Sequence, residues 1–160
     1  MNPKLLKQAE ILLVEDNPAD VLMIRSAFED FNISNILQVV NDGVEAIEYL
    51  RGEGDFVDAL RPDMIMLDLN LPRKNGREVL AEIKSDPQLQ NIPVVVLTTS
   101  HSEKDVLQAY NLHANCYIVK PVGFIDFVEA VKTIKNFWFG LVTLPSEVDD
   151  EQDAHSSTPG

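Results

Sequence analysis

Three carboxylates, a hydroxyl and an ammonium stand where apolar runs of this 160-residue chain break off. Glu15 and Asp16 follow "ILLV", Asp68 follows "MIML", Thr98 follows "VVVL", and Lys120-Pro121 follows "CYIV". Adjacent like charges at the mouth of a core repel one another and resist desolvation. A cluster of Glu15, Asp16 and Asp68 would therefore push its own pKa values up unless a cation relieved it. Hard oxygen ligands with positions left for water suit Mg²⁺. A metal, an ammonium and a hydroxyl around one carboxylate meet the needs of a phosphoryl group. Its equatorial oxygens are neutralised while an oxygen nucleophile attacks in line. On that chemistry Asp68 forms an acyl phosphate.

These side chains meet only if the runs before them are neighbouring strands. "ILLV" (11–14), "ILQVV" (36–40), "MIML" (64–67), "VVVL" (94–97) and "CYIV" (116–119) are continuous apolar runs, as strands covered on both faces require. Helical spacing fills the intervals. Val21, Ile24, Phe28 and Phe31 share a face behind Pro18, and Val44, Ile47 and Leu50 follow Asn41-Asp42-Gly43. Val79, Leu80 and Ile83 form a third stripe, Val106, Ala109 and Tyr110 a fourth behind Ser102 as N-cap, and Phe124, Phe127, Val128, Val131 and Ile134 a fifth. The alternation predicts an α/β, flavodoxin-like (βα)5 fold with a parallel sheet in the order 2-1-3-4-5 and helices on both faces. Ligands in such sheets bind beyond the carboxyl ends of the strands at the switch point, here between the first and third. The segment 51–63 is expected to be a surface loop with a short turn.

Composition sets the outer limits. A net charge of −13 argues against nucleic acid or an anionic membrane as the main partner. Five of the 26 acids fall after Ser146 with no Lys or Arg to offset them, so residues 147–160 read as a solvated acidic tail. Cys116, the one cysteine, allows no disulfide or thiolate cluster and reads as a core residue. No run reaches membrane-spanning length and "MNPKLLKQAE" lacks a signal-peptide core, so a cytoplasmic protein is expected.

The set "VEDN", "LDLNLP", "VLTTS" and "IVKP", in this order and at strand ends, resembles the receiver domain of two-component response regulators. The resemblance spans residues 10 to about 138, leaving 139–146 as an apolar C-terminal extension. It implies that Asp68 accepts a phosphoryl group from a histidine kinase and that the protein signals through a downstream partner without being an enzyme. It further implies that Asp16 and Asp68 bind Mg²⁺ directly, Glu15 through water and Asn70 by its backbone carbonyl. Thr98 and Lys120 would contact phosphoryl oxygens; the choice of Thr98 among the hydroxyls of "TTS" follows the family pattern. Tyr117 would be the aromatic whose rotamer follows phosphorylation, and the Lys120–Pro121 bond would be cis. The loop at 51–63, "DLNLPRKNGREVLAEIK" and "NFWFGLVTLP" are similar to the small response regulators paired with bacterial and cyanobacterial phytochromes. Glu15 stands where many receivers have Asp.

Taken singly, each residue has a plainer reading: Asp68 as a cap, Lys120 as a surface lysine, Tyr117 as half-buried core. Four motifs at four strand ends favour the joint reading. His101, His113 and His155 share no spacing and read as surface residues. Two alternatives stand beside the receiver. A haloacid-dehalogenase-like phosphatase also uses a strand-end Asp as nucleophile, but needs a second Asp two residues on, where this chain has Asn70. A degenerate receiver would only bind partners. Beyond Ile134, Phe137, Trp138, Leu141 and Val142 continue the apolar stripe, and with little core left to receive them they are expected to form a homodimer interface.

Overall fold

A computed structural model describes residues 8–29, 35–140 and 144–145. β1 (Ala9–Val14), β2 (Asn35–Val40), β3 (Met64–Leu67), β4 (Val94–Thr98) and β5 (Cys116–Val119) form one parallel sheet in the order β2-β1-β3-β4-β5. α1 (Pro18–Phe28), α2 (Gly43–Arg51), α3 (Gly76–Ser85), α4 (Glu103–Asn111) and α5 (Phe124–Gly140) follow the strands in turn. The expected architecture and strand order are those observed. Residues 51–63 carry one 3₁₀ turn, Gly54–Phe56.

Side chains alternate across the sheet, as the two-residue period of a strand dictates. Leu12, Val14, Ile65, Leu67, Val94 and Val96 pack with Ala46, Ile47, Val79, Leu80, Ile83 and Ala109 from α2, α3 and α4. Ile11, Leu13, Met64, Met66, Val95 and Leu97 pack with Ile24, Ala27, Phe28, Phe127, Val131 and Ile134 from α1 and α5. The inner strands are apolar along 11–14, 64–67 and 94–97 because both faces are covered there, with Glu10 near the start of β1 and Thr98 at the end of β4 as the polar positions. β2 and β5, at the edges, are only partly buried, and Val119 is exposed. α5 is tied to α1 by a buried lysine: Lys135 Nζ donates to the Ala27 carbonyl at 3.1 Å.

The helix starts follow their caps. The Asn17 side chain accepts from the N–H groups of Ala19 and Asp20 ahead of Pro18, Asp42 accepts from Glu45, Asn75 from Glu78 and Ser102 from Asp105. Three expectations differ from the structure. Tyr110 and Phe124 belong to apolar stripes but are exposed, because α4 and the start of α5 lie beside the edge strand, where less sheet is left to cover them. Trp138 and Phe139 pack partly against the α1–α5 core, so part of the apolar extension returns to its own domain while Phe137 stays exposed. Phe31, Leu141, Val142, His155 and the tail 147–160 lie outside the described residues. No helix among the described residues is long and apolar enough to cross a membrane.

Candidate phosphoryl-acceptor and metal site

Strand register brings the chemistry together. The Asp68 N–H donates to the Val14 carbonyl at 3.1 Å, which carries the end of β3 alongside the Glu15-Asp16 pair. The Glu15 N–H donates to the Val40 carbonyl at 3.0 Å, and Asn41 Nδ2 donates to the Glu15 carbonyl at 3.2 Å, fixing that pair from the other side. The Lys120 N–H donates to the Thr98 carbonyl at 2.7 Å and locks the ends of β4 and β5. After β3 the chain turns sharply into α3. A Cβ on Gly76 would stand 2.2 Å from the Asp68 carbonyl oxygen, so only glycine admits this return of the chain onto Asp68.

Glu15 and Asp68 are buried and Asp16 is exposed, with one carboxylate oxygen from each lying within 4.8 Å of the others. Three oxygens, one of them open to solvent, fit a hard divalent cation that keeps waters. Lys120 is buried among the same groups. Its Nζ stands 2.7 Å from Glu15 Oε2, 2.7 Å from Asp20 Oδ2 and 2.9 Å from Asp68 Oδ2. Burial pulls the Lys120 ammonium toward neutrality, but hydrogen bonds to Asp20, Glu15 and Asp68 outweigh it and hold its pKa above the ordinary lysine value. Burial pushes the Glu15 carboxyl up to about 7, with Asp68 adding to the rise and Lys120 opposing it. A cation placed among these carboxylates would remove that penalty.

Asn70 donates its N–H to Asp68 Oδ1 at 3.0 Å, which leaves Oδ2 to Lys120. Thr98 is fully buried, and its Oγ1 has no hydrogen-bond partner among the described residues. A buried hydroxyl without a partner costs about 1–3 kcal/mol, so its retention at this strand end points to a ligand it serves when bound. Tyr117 donates its hydroxyl to the Ser100 carbonyl at 2.8 Å, across the loop that follows Thr98. In the same loop Ser100 Oγ donates to Asp105, which pairs with Arg77 of α3 at 2.6 Å.

The Lys120–Pro121 bond is trans, as are all described peptide bonds, which corrects the cis expectation. The trans form is the favoured one by about 0.5–1 kcal/mol, and in it Lys120 already reaches all three carboxylates. Sequence reasoning missed Asp20. It lies in the first turn of α1, behind the N-cap Asn17, and not at the end of an apolar run, so no strand-end signal marks it. His101 and His113 are exposed, as expected.

A sequence profile for the response regulator receiver domain matches residues 11–132. Response regulator Rcp1 of Synechocystis sp. is 48% identical over 136 residues, covering 85% of this chain and 92% of its own. The crystal structure of the phosphorylated cyanobacterial phytochrome response regulator RcpA superimposes with a TM-score of 0.86 at 51% identity, over 88% of this chain and 100% of that one. The Mn²⁺-bound form of Rcp1 superimposes with a TM-score of 0.84 at 47% identity, over 86% and 99%. These likenesses leave the phosphatase alternative without support, and Asn70 cannot supply its second acid. With the strand order, the carboxylate cluster and the sequence match in agreement, this chain belongs to the response regulator receiver family.

Proposed function

We propose that the protein accepts a phosphoryl group on Asp68 from a phytochrome-type histidine kinase, in the cytoplasm, and signals through a downstream protein. The observation that carries this reading is the buried Lys120 ammonium, 2.9 Å from Asp68 Oδ2 at the edge of the carboxylate cluster. One Asp68 carboxylate oxygen attacks phosphorus, the phosphorus–nitrogen bond of the phosphohistidine breaks, and its electron pair stays on the imidazole. Glu15, Asp16 and Asp68 would hold Mg²⁺, with the Asn70 carbonyl as a further ligand. When bound, the ion neutralises charge on the phosphoryl oxygens. Lys120 follows the negative charge from Asp68 onto a phosphoryl oxygen, and the Thr98 hydroxyl gains the partner it lacks. Tyr117 is then free to change its burial as the loop after Thr98 moves. The names of the relatives carry the phytochrome pairing.

Phosphotransfer from a panel of autophosphorylated histidine kinases, scored by initial rate, tests this reading. Fastest transfer from a phytochrome-type kinase, abolished in Asp68→Asn, is the expected result. Fastest transfer from another class would overturn the pairing, and transfer to Asp68→Asn would overturn the acceptor. The same reading includes a homodimer built on the end of α5, with Phe137, Leu141 and Val142 in the interface and Trp138 shared between it and the α1–α5 core. Its support is Phe137, 49% exposed and set edge-to-face on Trp138 at 5.7 Å.

A further inference from the structure

Asp20 lies in the first turn of α1, where an acid is ordinarily explained by the helix dipole or by capping. Neither explains its contact. The Asn17 N–H, which an acidic side chain three residues on would take in a capping box, is taken by Glu15 Oε1 at 3.1 Å. Asp20 instead turns inward and meets the buried Lys120 ammonium at 2.7 Å, with its own side chain only 16% accessible.

An ammonium has three N–H donors. Those of Lys120 are matched by Glu15, Asp20 and Asp68, so the ammonium has none in reserve. Phosphorylation moves the negative charge of Asp68 outward, and a phosphoryl oxygen must then win a donor from this set. Glu15 is fixed by Asn17 and belongs to the metal cluster. Asp20 is neither, and it adds one negative charge beside the place an anion must enter.

We propose that Asp20 is a positioning residue that sets the affinity of the acceptor site for phosphoryl anions, by competing with their oxygens for Lys120. This rests on the reading of Asp68 as acceptor. The two signs it implies are opposite: loss of the Asp20 charge frees Lys120 for an anion, yet weakens the field that attracts a divalent cation. General damage to the fold would lower both affinities together.

Beryllium fluoride binding at saturating Mg²⁺, followed by fluorine NMR on the full chain, and a separate Mg²⁺ titration test it. Asp20→Asn and Asp20→Ala are expected to bind the fluoroberyllate anion about three- to tenfold more tightly and Mg²⁺ more weakly. Asp20→Glu, which keeps the charge, should restore wild-type values. Unchanged or weaker fluoroberyllate binding by Asp20→Asn, with wild type binding normally, overturns the role of Asp20. Failure of the wild type itself to bind overturns the acceptor reading on which it stands.

Discussion

At the scale of single residues, the site is a balance between buried charge and groups that can relieve it. Glu15 shows the balance most directly. Its carboxyl pKa is pushed up to about 7, chiefly by burial, so it takes up a proton as the pH falls through neutrality. Mg²⁺ needs that carboxylate ionised, so protons and metal compete. Mg²⁺ affinity should drop by roughly tenfold between about pH 8 and about pH 6, and calorimetry at the higher pH should show less proton release. Affinity that rises with acidity would contradict the placement of Glu15. Thr98 offers a second test. Replacing its unpartnered buried hydroxyl by a methyl group, in Thr98→Val, should raise the stability of the unmodified protein by about 1 kcal/mol in urea unfolding. The same change should weaken fluoroberyllate binding. Glu15, Asp16, Asp68, Thr98 and Lys120 were legible because each closes an apolar run. Asp20 was not, because it sits inside a helix and its relevance depends on how α1 is rotated, which spacing alone leaves open.

Among the elements, legibility followed burial. The inner strands β1, β3 and β4 read directly as continuous apolar runs because helices cover both faces. α4 was read correctly as a helix, yet Tyr110 was placed on its buried face; the edge position of β5 decides that exposure, and it belongs to topology. The turn from β3 into α3 is a tight fit between backbone atoms, and Gly76 marks it. Gly76→Ala would bring a methyl against the Asp68 carbonyl and should destabilise the protein by about 1–3 kcal/mol while also weakening Mg²⁺ binding. Intact metal affinity in that variant would separate the turn from the site. The loop after β4 links three elements through Tyr117, Ser100, Asp105 and Arg77. Fluoroberyllate should therefore shift NMR resonances along α4 and β5, and Thr98→Ala should remove those shifts even where the anion still binds. Wild-type shifts in Thr98→Ala would break the coupling.

For the whole molecule, two surfaces matter: the strand-end rim that carries the carboxylate cluster, and the end of α5. The apolar stripe beyond Ile134 reads as a dimer interface from sequence alone, yet Trp138 and Phe139 fold partly home and leave Phe137 as the exposed anchor. Sedimentation equilibrium of the full chain at micromolar concentration should give a dimer for wild type and a folded monomer for Phe137→Asp; dimers for both would remove Phe137 from the interface. Whatever the assembly, the central claim is chemical, that Asp68 is the one carboxylate that takes up phosphate. Acetyl phosphate supplies the test without a kinase. With Mg²⁺, intact-mass spectrometry should find a single added phosphoryl group on wild type, removed by hydroxylamine as an acyl phosphate is, and none on Asp68→Asn or after chelation of the metal. Undiminished labelling of Asp68→Asn would contradict the account.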